Sequence, residues 1–519
     1  MDRKTLIHRL EEHQDQLWDV IVTGGGATGL GIALDASARG FKTILLEQSD
    51  FSKGTSSRST KLVHGGVRYL AQGDVFLVKE ALHERGLMLK NAPHLTADQE
   101  FIIPVYTLWD VFLYTVGLKF YDLLAGRLSL GKSYFISKKK ALERLPLLYS
   151  DGLKGGIVYH DGQFDDSRMA ITLANATVAR GGIPLNYFRV IALTKDENRK
   201  ITGVRAVDMI SGSEYTIKGR IVINATGVFT DEIHKMDNPG SMPTVRPSQG
   251  VHIVLDNSFL NSSSAVMIPK TDDGRVLFAI PWYDKVVVGT TDTPLDDISN
   301  EPKALEKEIE FILHTAGKYL TRKPERKDIK CIFAGLRPLA ADPGNPSATK
   351  EVSRRHKITL NPSGLLSITG GKWTSYRRMA EETINRGIKA GILPKKACTT
   401  RKLRLLSVGK PVNNGRLRIY GDGAEEIESM ITDNQSLGEK LHPDLPYTKA
   451  EIVWICRNEM PVKAEDILAR RTRALLLDAK ASINIAPEVI KIMADEMGYD
   501  KEWQEEQLTE YKNLVMNYL

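Results

Sequence analysis

The chain has 519 residues, 42% hydrophobic and 26% charged, with a formal net charge of +7. That length exceeds one ordinary core and predicts two or three domains, and the composition excludes a disordered or fibrous chain. The mild basic surplus gives no argument for nucleic acid, but it suits an anionic substrate or an anionic membrane surface.

Residues 1–18 are charged and lack the apolar core of a signal peptide. Residues 20–29 then read Val-Ile-Val-Thr-Gly-Gly-Gly-Ala-Thr-Gly. An apolar strand runs into G-x-G-x-x-G at Gly24, Gly26 and Gly29, with Ala27 and Thr28 opening the next element. A small-residue helix is predicted over 30–39 and a second strand over 43–46, ending in Glu47. This is a βαβ unit. Its glycines let backbone approach a pyrophosphate at a helix N-terminus, where N–H groups and the dipole favour anions. Glu47, about 20 residues past the glycines, can accept hydrogen bonds from a ribose 2′-OH.

Residues 55–70 follow as TSSRSTKLVHGGVRYL. The hydroxyls of Thr55, Ser56, Ser57, Ser59 and Thr60 and the backbone N–H groups here can cradle phosphate, and Lys61 and His64 are packed among them as cofactor-binding candidates. The pair Gly65-Gly66 permits close approach to a flat ring. Taken alone, the stretch also reads as a solvated polar loop. Residues 101–128 are rich in aromatics and leucine but carry Asp110, Lys119 and Asp122, which argue against a membrane span. Trp109, Phe112, Leu113, Val116 and Phe120 recur at helical spacing. That stripe either packs on the protein's own core or lies at a membrane interface.

A short apolar strand over 221–224 leads into Ala225-Thr226-Gly227, and another over 364–369 leads into Gly370-Gly371-Lys372-Trp373-Thr374. Three strand-then-glycine turns can converge at the carboxyl edge of one sheet, where open α/β sheets bind ligands. Between them, runs at 251–255, 276–280 and 286–289, with Asp273-Gly274 as a turn, predict an inserted antiparallel sheet. Helices are predicted over 449–457, 464–477 and 487–497, punctuated by Pro446, Pro461 and Pro487. Cys331, Cys398 and Cys456 are far apart, so no disulfide framework or metal site is read, and each is expected as a buried apolar residue.

Seven stretches together carry a resemblance: GGGATG (24–29), TSSRSTKLVHGGVRYL (55–70), NATGVF (224–229), GLRPL (335–339), SRRH (353–356), GGKWTSYR (370–377), and YTKAEIVWICRNEM with EDILARRTRALLLDA (447–460, 465–479). The chain resembles the FAD-dependent glycerol-3-phosphate dehydrogenases, within the D-amino-acid-oxidase-like flavoproteins. Two positions depart from the family pattern: Trp373 follows Gly-Gly-Lys where Leu is common, and Arg355 stands where an acid is usual.

The resemblance implies an α/β fold: a Rossmann-like FAD-binding domain, an antiparallel-sheet substrate cap and a C-terminal helical domain. Residues 1–90, 150–235 and 330–392 are expected to form the first, 91–149 and 236–329 the cap, and 393–519 the last. It implies bound FAD and oxidation of glycerol 3-phosphate; the FAD is expected to be held non-covalently. It also implies electron delivery to ubiquinone or menaquinone, and peripheral attachment to the cytoplasmic side of the cell membrane. Oligomeric state stays open, a homodimer included, and no nucleic-acid partner is expected.

A small dianion calls for guanidinium forks. Arg337 and Arg354 are implied to hold phosphate or hydroxyl, with Arg68 a third candidate; any single Arg also reads as a surface charge. Oxidation needs a proton acceptor. His252 and His64 are candidates, and His252 reads equally as a packed residue on a strand. Lys372 is placed to stabilise a reduced anionic ring, or to contact phosphate. Arg470, Arg471 and Arg473 lie on a predicted helix without interleaved aromatics, which predicts structural ion pairing with acids such as Glu465. An amine or amino-acid oxidase of the same fold, or a tRNA-modifying or non-catalytic flavoprotein, is the alternative.

Overall fold

Two sheets organise the chain in a computed structural model that describes all residues except 72, 272–273, 341–354 and 407–414. The first holds β1 (Trp18–Thr23), β2 (Thr43–Leu46), β7 (Ile183–Leu185), β8 (Phe188–Lys195), β9 (Ile201–Asp208), β10 (Glu214–Asn224), β17 (Lys357–Leu360) and β18 (Leu366–Thr369). Its order is β17-β18-β10-β1-β2-β7, with β8 and β9 as an antiparallel extension of β10. β1 runs parallel between β10 and β2, so the turns after β1 and β10 emerge side by side. β18 lies parallel on β10 and brings its own glycine turn to the same edge.

Helix α1 (Ala27–Ala38) starts three residues before the expected position, directly on the glycine turn. Leu30, Ile32, Ala33, Leu34 and Ala36 are buried beneath the helix Tyr376–Lys389. The small residues are needed there: a Cβ on Gly31 would lie 2.9 Å from the Tyr376 ring.

The second sheet holds β3 (Leu62–Val63), β4 (Thr96–Val105), β5 (Tyr134–Ser137), β6 (Gly155–Phe164), β11 (Val245–Asp256), β12 (Ala265–Ile268), β13 (Leu277–Trp282), β14 (Lys285–Gly289), β15 (Thr293–Pro294) and β16 (Ile329–Ala340). Its order is β15-β11-β14-β13-β12-β4-β6-β3, with β16 on β11 and β5 on β6. The inserted antiparallel sheet is therefore present, and larger than expected; Asp273 of its expected turn lies outside the described residues. β6 and β16 fall in stretches expected with the FAD domain, yet they pair into this second sheet. β16 runs against β11 from Val245↔Ala340 to Leu255↔Ile329. That long-range register has no local signature in either segment.

Residues 101–128 divide into the end of β4 and helix α3 (Leu108–Ala125), which packs beside α2 (Val75–Asn91). Thr107 caps α3 by accepting the Asp110 N–H at 3.1 Å. Leu118 and Tyr121 face inward. Leu108, Trp109, Phe112, Leu113, Val116, Phe120 and Leu123 are exposed, Trp109 at 66%. The stripe does not pack on the protein's own core. Among the described residues no helix is long and apolar enough to cross a membrane.

The C-terminal region is helical: Ala424–Asp433, Lys449–Asn458, Ala479–Met497 and Lys501–Val515. The helix expected over 464–477 is instead a π-helical turn Asp466–Arg471 and a short helix Ala474–Leu477, separated at Arg473, whose φ is +67°. Ion pairs flank the break. Arg470 reaches Asp50, Glu465 and Asp466, Arg471 pairs with Asp50, and Arg473 reaches Asp166. These arginines are buried structural cations, as expected. Pro487 lies inside its helix rather than at the start, with the helix carried over it by burial of Ile485, Ala486, Val489 and Ile490. Cys331 is buried, but Cys398 and Cys456 are only half-buried, and Cys398 Sγ sits 3.1 Å from Asp35 Oδ1.

Candidate flavin site

The three glycine turns meet in one cleft of about 340 Å³ that continues between the two sheets. Gly24 has φ +102°, and a Cβ there would lie 2.6 Å from Ala225 O. A Cβ on Gly29 would lie 1.8 Å from Gly24 O. Gly29 therefore does not line the cleft; it lets α1 close onto the turn. Gly26 supplies no side-chain cap to α1, and the Ala27 N–H donates to Ser56 Oγ at 2.9 Å. The other first-turn N–H groups have no partner within the helix, which makes this end a seat for an anion.

Glu47 closes the far end. Its carboxylate accepts the Gly25 N–H at 2.5 Å and the Ser49 N–H at 2.9 Å. Burial raises its pKa while the two N–H groups oppose the shift. Each oxygen keeps acceptor capacity for ribose hydroxyls. Ala225, Thr226 and Gly227 line the cleft opposite.

The 55–60 segment forms one wall with Thr55, Ser56, Ser59 and Thr60. The GGKWT turn forms another. Trp373 Nε1–H donates to Ser56 O at 2.8 Å, and the indole meets Phe164 and Tyr376 edge-on. The departure from the family pattern at 373 thus joins two walls. Thr374 Oγ1 accepts the His64 N–H at 3.2 Å. Gly371 also lines the cleft, and Lys372 Nζ stands 3.8 Å from the Tyr69 ring centroid.

The β11–β16 register builds the substrate-facing wall. Ser248 opposes Arg337, Gly250 opposes Gly335, and His252 opposes Phe333. Arg337 donates to Asp292 Oδ1 at 3.0 Å, Thr290 Oγ1 at 3.1 Å and Thr291 O at 2.9 Å. Position 250 must lack a side chain, since a Cβ would lie 2.3 Å from Arg337 Nη2. His252 stacks on Phe333 with centroids 4.8 Å apart, and its Nε2 lies 2.9 Å from Thr60 Oγ1. Burial, then the charges of Lys61 and Arg337, push its pKa well below the ordinary value, so the ring is neutral.

Several expected residues stand behind the cleft rather than in it. Lys61 is fully buried, and its Nζ donates to Asp166 and to Ser57 O, both at 2.7 Å. Burial pushes its pKa down to about 8 against the pull of Asp166. It braces the 55–60 loop from behind and does not line the cleft. Ser57, Gly65 and Gly66 also lie outside the lining, whereas His64 is within it. Arg68 is on the short helix Val67–Ala71, its side chain outside the description, and Arg354 lies outside the described residues.

The cleft also holds residues that sequence reasoning missed: Lys53, Arg58, Tyr69 and Arg189. Arg58 sits inside the TSSRST stretch and was legible there. It donates to Asn300 O and Glu301 at 2.7 Å and to the Tyr518 hydroxyl at 3.0 Å. Arg189 arrives on β8 with no sequence signal.

A glycine-cradled mononucleotide fold ending in an acid, roofed by a second sheet that carries Arg and His, defines a dinucleotide-dependent oxidoreductase. Residues 19–377 match the family described as FAD dependent oxidoreductase, and residues 366–504 match the C-terminal domain of alpha-glycerophosphate oxidase. The chain is 39% identical to a probable mitochondrial glycerol-3-phosphate dehydrogenase of Caenorhabditis elegans over 99% of its own length and 75% of that protein's. Against mitochondrial glycerol-3-phosphate dehydrogenase of Homo sapiens the identity is 40%, over 95% and 72%. The crystal structure of glycerol-3-phosphate dehydrogenase from Bacillus halodurans complexed with FAD superimposes with a TM-score of 0.80 at 29% identity, covering 99% and 98% of the two chains. The chain belongs to the FAD-dependent oxidoreductases, and within them to the glycerol-3-phosphate dehydrogenase family. Its cofactor is FAD.

Proposed function

We propose that the protein oxidises sn-glycerol 3-phosphate to dihydroxyacetone phosphate and passes the electrons to a membrane quinone. The observation that carries this reading is the placement of Arg337 and His252 on adjacent strands, in the cleft that the glycine turns enter.

Bound FAD supplies the acceptor for the hydride that leaves C2. The α1 N-terminus, Glu47 and the 225–227 turn would hold its dinucleotide part, and the GGKWT turn with His64 the ring. Arg337 offers a guanidinium to the substrate phosphate, oriented by Asp292 and the 290–291 backbone. Thr60 Oγ1 accepts the C2 hydroxyl proton while donating its own to His252 Nε2. A neutral His252 is the form that can take it. Lys372 contributes a fixed positive charge beside the site.

A quinone is lipid-soluble, so the protein must reach a bilayer. The exposed face of α3, with Lys119 and Arg127 also exposed, fits peripheral attachment, with the cytoplasmic face of the cell membrane as the surface.

The test is reduction of a quinone-analogue dye with glycerol 3-phosphate, D-amino acids or no substrate. Reduction by glycerol 3-phosphate alone, with dihydroxyacetone phosphate formed in step, is expected. Reduction by D-amino acids, or none by glycerol 3-phosphate, overturns the reading.

A further inference from the structure

Outside the cleft lining is a buried cluster of Arg85 on α2, Tyr121 on α3 and Asp161 on β6. Their exposures are 1%, 1% and 3%. Arg85 Nη1 donates to Asp161 Oδ1 at 2.8 Å, and the Tyr121 hydroxyl donates to Asp161 Oδ2 at 2.7 Å. A buried ion pair adds little net stability, since desolvation offsets its attraction. The cluster therefore calls for another reason to exist.

The backbone N–H of Gly65 supplies one. It donates to the Tyr121 oxygen at 2.8 Å, with Asp161 Oδ1 a longer 3.4 Å away. Burial, reinforced by the Asp161 charge, pushes the Tyr121 pKa far up, so the group stays a phenol. A phenol oxygen carries one hydrogen. Asp161 takes it, which turns the oxygen lone pairs toward Gly65. Position 65 admits no side chain, because a Cβ would lie 2.4 Å from the Tyr121 oxygen.

On the other side of the same short segment, Thr374 Oγ1 accepts the His64 N–H and donates to His64 O at 3.4 Å. His64 and Gly65 are thus gripped between the GGKWT turn and α3. His64, Tyr69 and Thr374 all line the cleft. A Cβ on Gly66, at φ +78°, would lie 2.5 Å from the Tyr69 ring, so that ring is placed by the same backbone.

We propose that Tyr121, oriented by the Arg85–Asp161 pair, is a positioning residue that sets the His64–Gly65 backbone against the flavin. The inference rests on FAD occupying the cleft and is independent of which substrate is oxidised.

The experiment compares Tyr121→Phe with Leu118→Ala in the FAD-loaded protein. Leu118 is equally buried on α3 and makes no contact with Gly65 through a polar group. Amide exchange at Gly65, the flavin absorbance band and thermal stability are recorded for both. For Tyr121→Phe, Gly65 exchange should accelerate about tenfold, the fold-change of one typical buried hydrogen bond. The flavin band should shift, and kcat should fall more than KM changes. Leu118→Ala should lower Tm and leave the flavin band in place. A wild-type flavin band and wild-type Gly65 exchange in Tyr121→Phe overturn the proposal. So does an equal band shift in Leu118→Ala, or a wild-type Gly65 amide that exchanges as fast as an open loop. Failure with glycerol 3-phosphate alone would leave the flavin readouts intact and count against the substrate assignment instead.

Discussion

Replacing Arg337 by Ala removes the cation offered to the substrate dianion. The side chain is 21% exposed and lies 3.0 Å from Asp292, whose charge already offsets part of its own. Truncating one member of a desolvated charge pair costs about 2–5 kcal/mol. Partial exposure and the Asp292 charge place Arg337 toward the low end, at about 2–3 kcal/mol, a roughly 30- to 150-fold fall in kcat/KM. Arg337→Lys should recover only part, because an ammonium cannot form the two-pronged contact with phosphate. Steady-state dye reduction across glycerol 3-phosphate concentrations measures the loss, and flavin absorbance after denaturation measures FAD content. FAD content should stay at the wild-type level, since Arg337 is held by Asp292 and the 290–291 segment rather than by the glycine turns. Wild-type kcat/KM in FAD-loaded Arg337→Ala would put the residue off the substrate site.

Gly29→Val should purify with little FAD, because its Cβ has only 1.8 Å to Gly24 O and the turn must open; normal absorbance near the flavin band would contradict the cradle. Acid precipitation of the yellow protein should leave the colour in the supernatant, the sign of non-covalent FAD, whereas a coloured pellet would mean a covalent bond. Trp109→Ser/Phe112→Ser should pellet less with anionic vesicles than wild type; equal pelleting moves the membrane contact elsewhere, and no pelleting of either protein removes it. His94 is buried, and burial followed by the Arg168 charge pushes its pKa down to about 4. The unfolded chain, with a histidine near 6.5, binds the proton first, so this stability is lost as pH falls from about 6.5 to 4, by up to about 3 kcal/mol. The denaturation gap between wild type and His94→Gln should therefore narrow over that window, and parallel pH curves would refute it.

The βαβ unit was legible because its parts are contiguous. Strand, glycines, helix and Glu47 occupy fewer than thirty consecutive positions, and each demands its residue type for a local reason. The turns at 225–227 and 370–374 were legible on the same ground. Lys61 was expected among the cofactor-binding residues because it stands in a polar loop beside the cradle, and only the fold shows Asp166 behind it. Pro487 misled in the same way: its ring discourages a helix interior, but the buried neighbours outweigh that cost.

By itself, then, the sequence determined the dinucleotide cradle, the hydroxyl-rich loop that walls it and the helical C-terminus, since each is a short-range pattern of size, charge and backbone freedom. The tertiary structure alone decided that Arg337 and His252 share a wall, because strands some eighty residues apart pair along a register no local pattern records. It also decided which face of α3 meets solvent. Helical spacing marks an apolar stripe, but whether that stripe is covered depends on which other elements fold back over it, and here none of the described ones does.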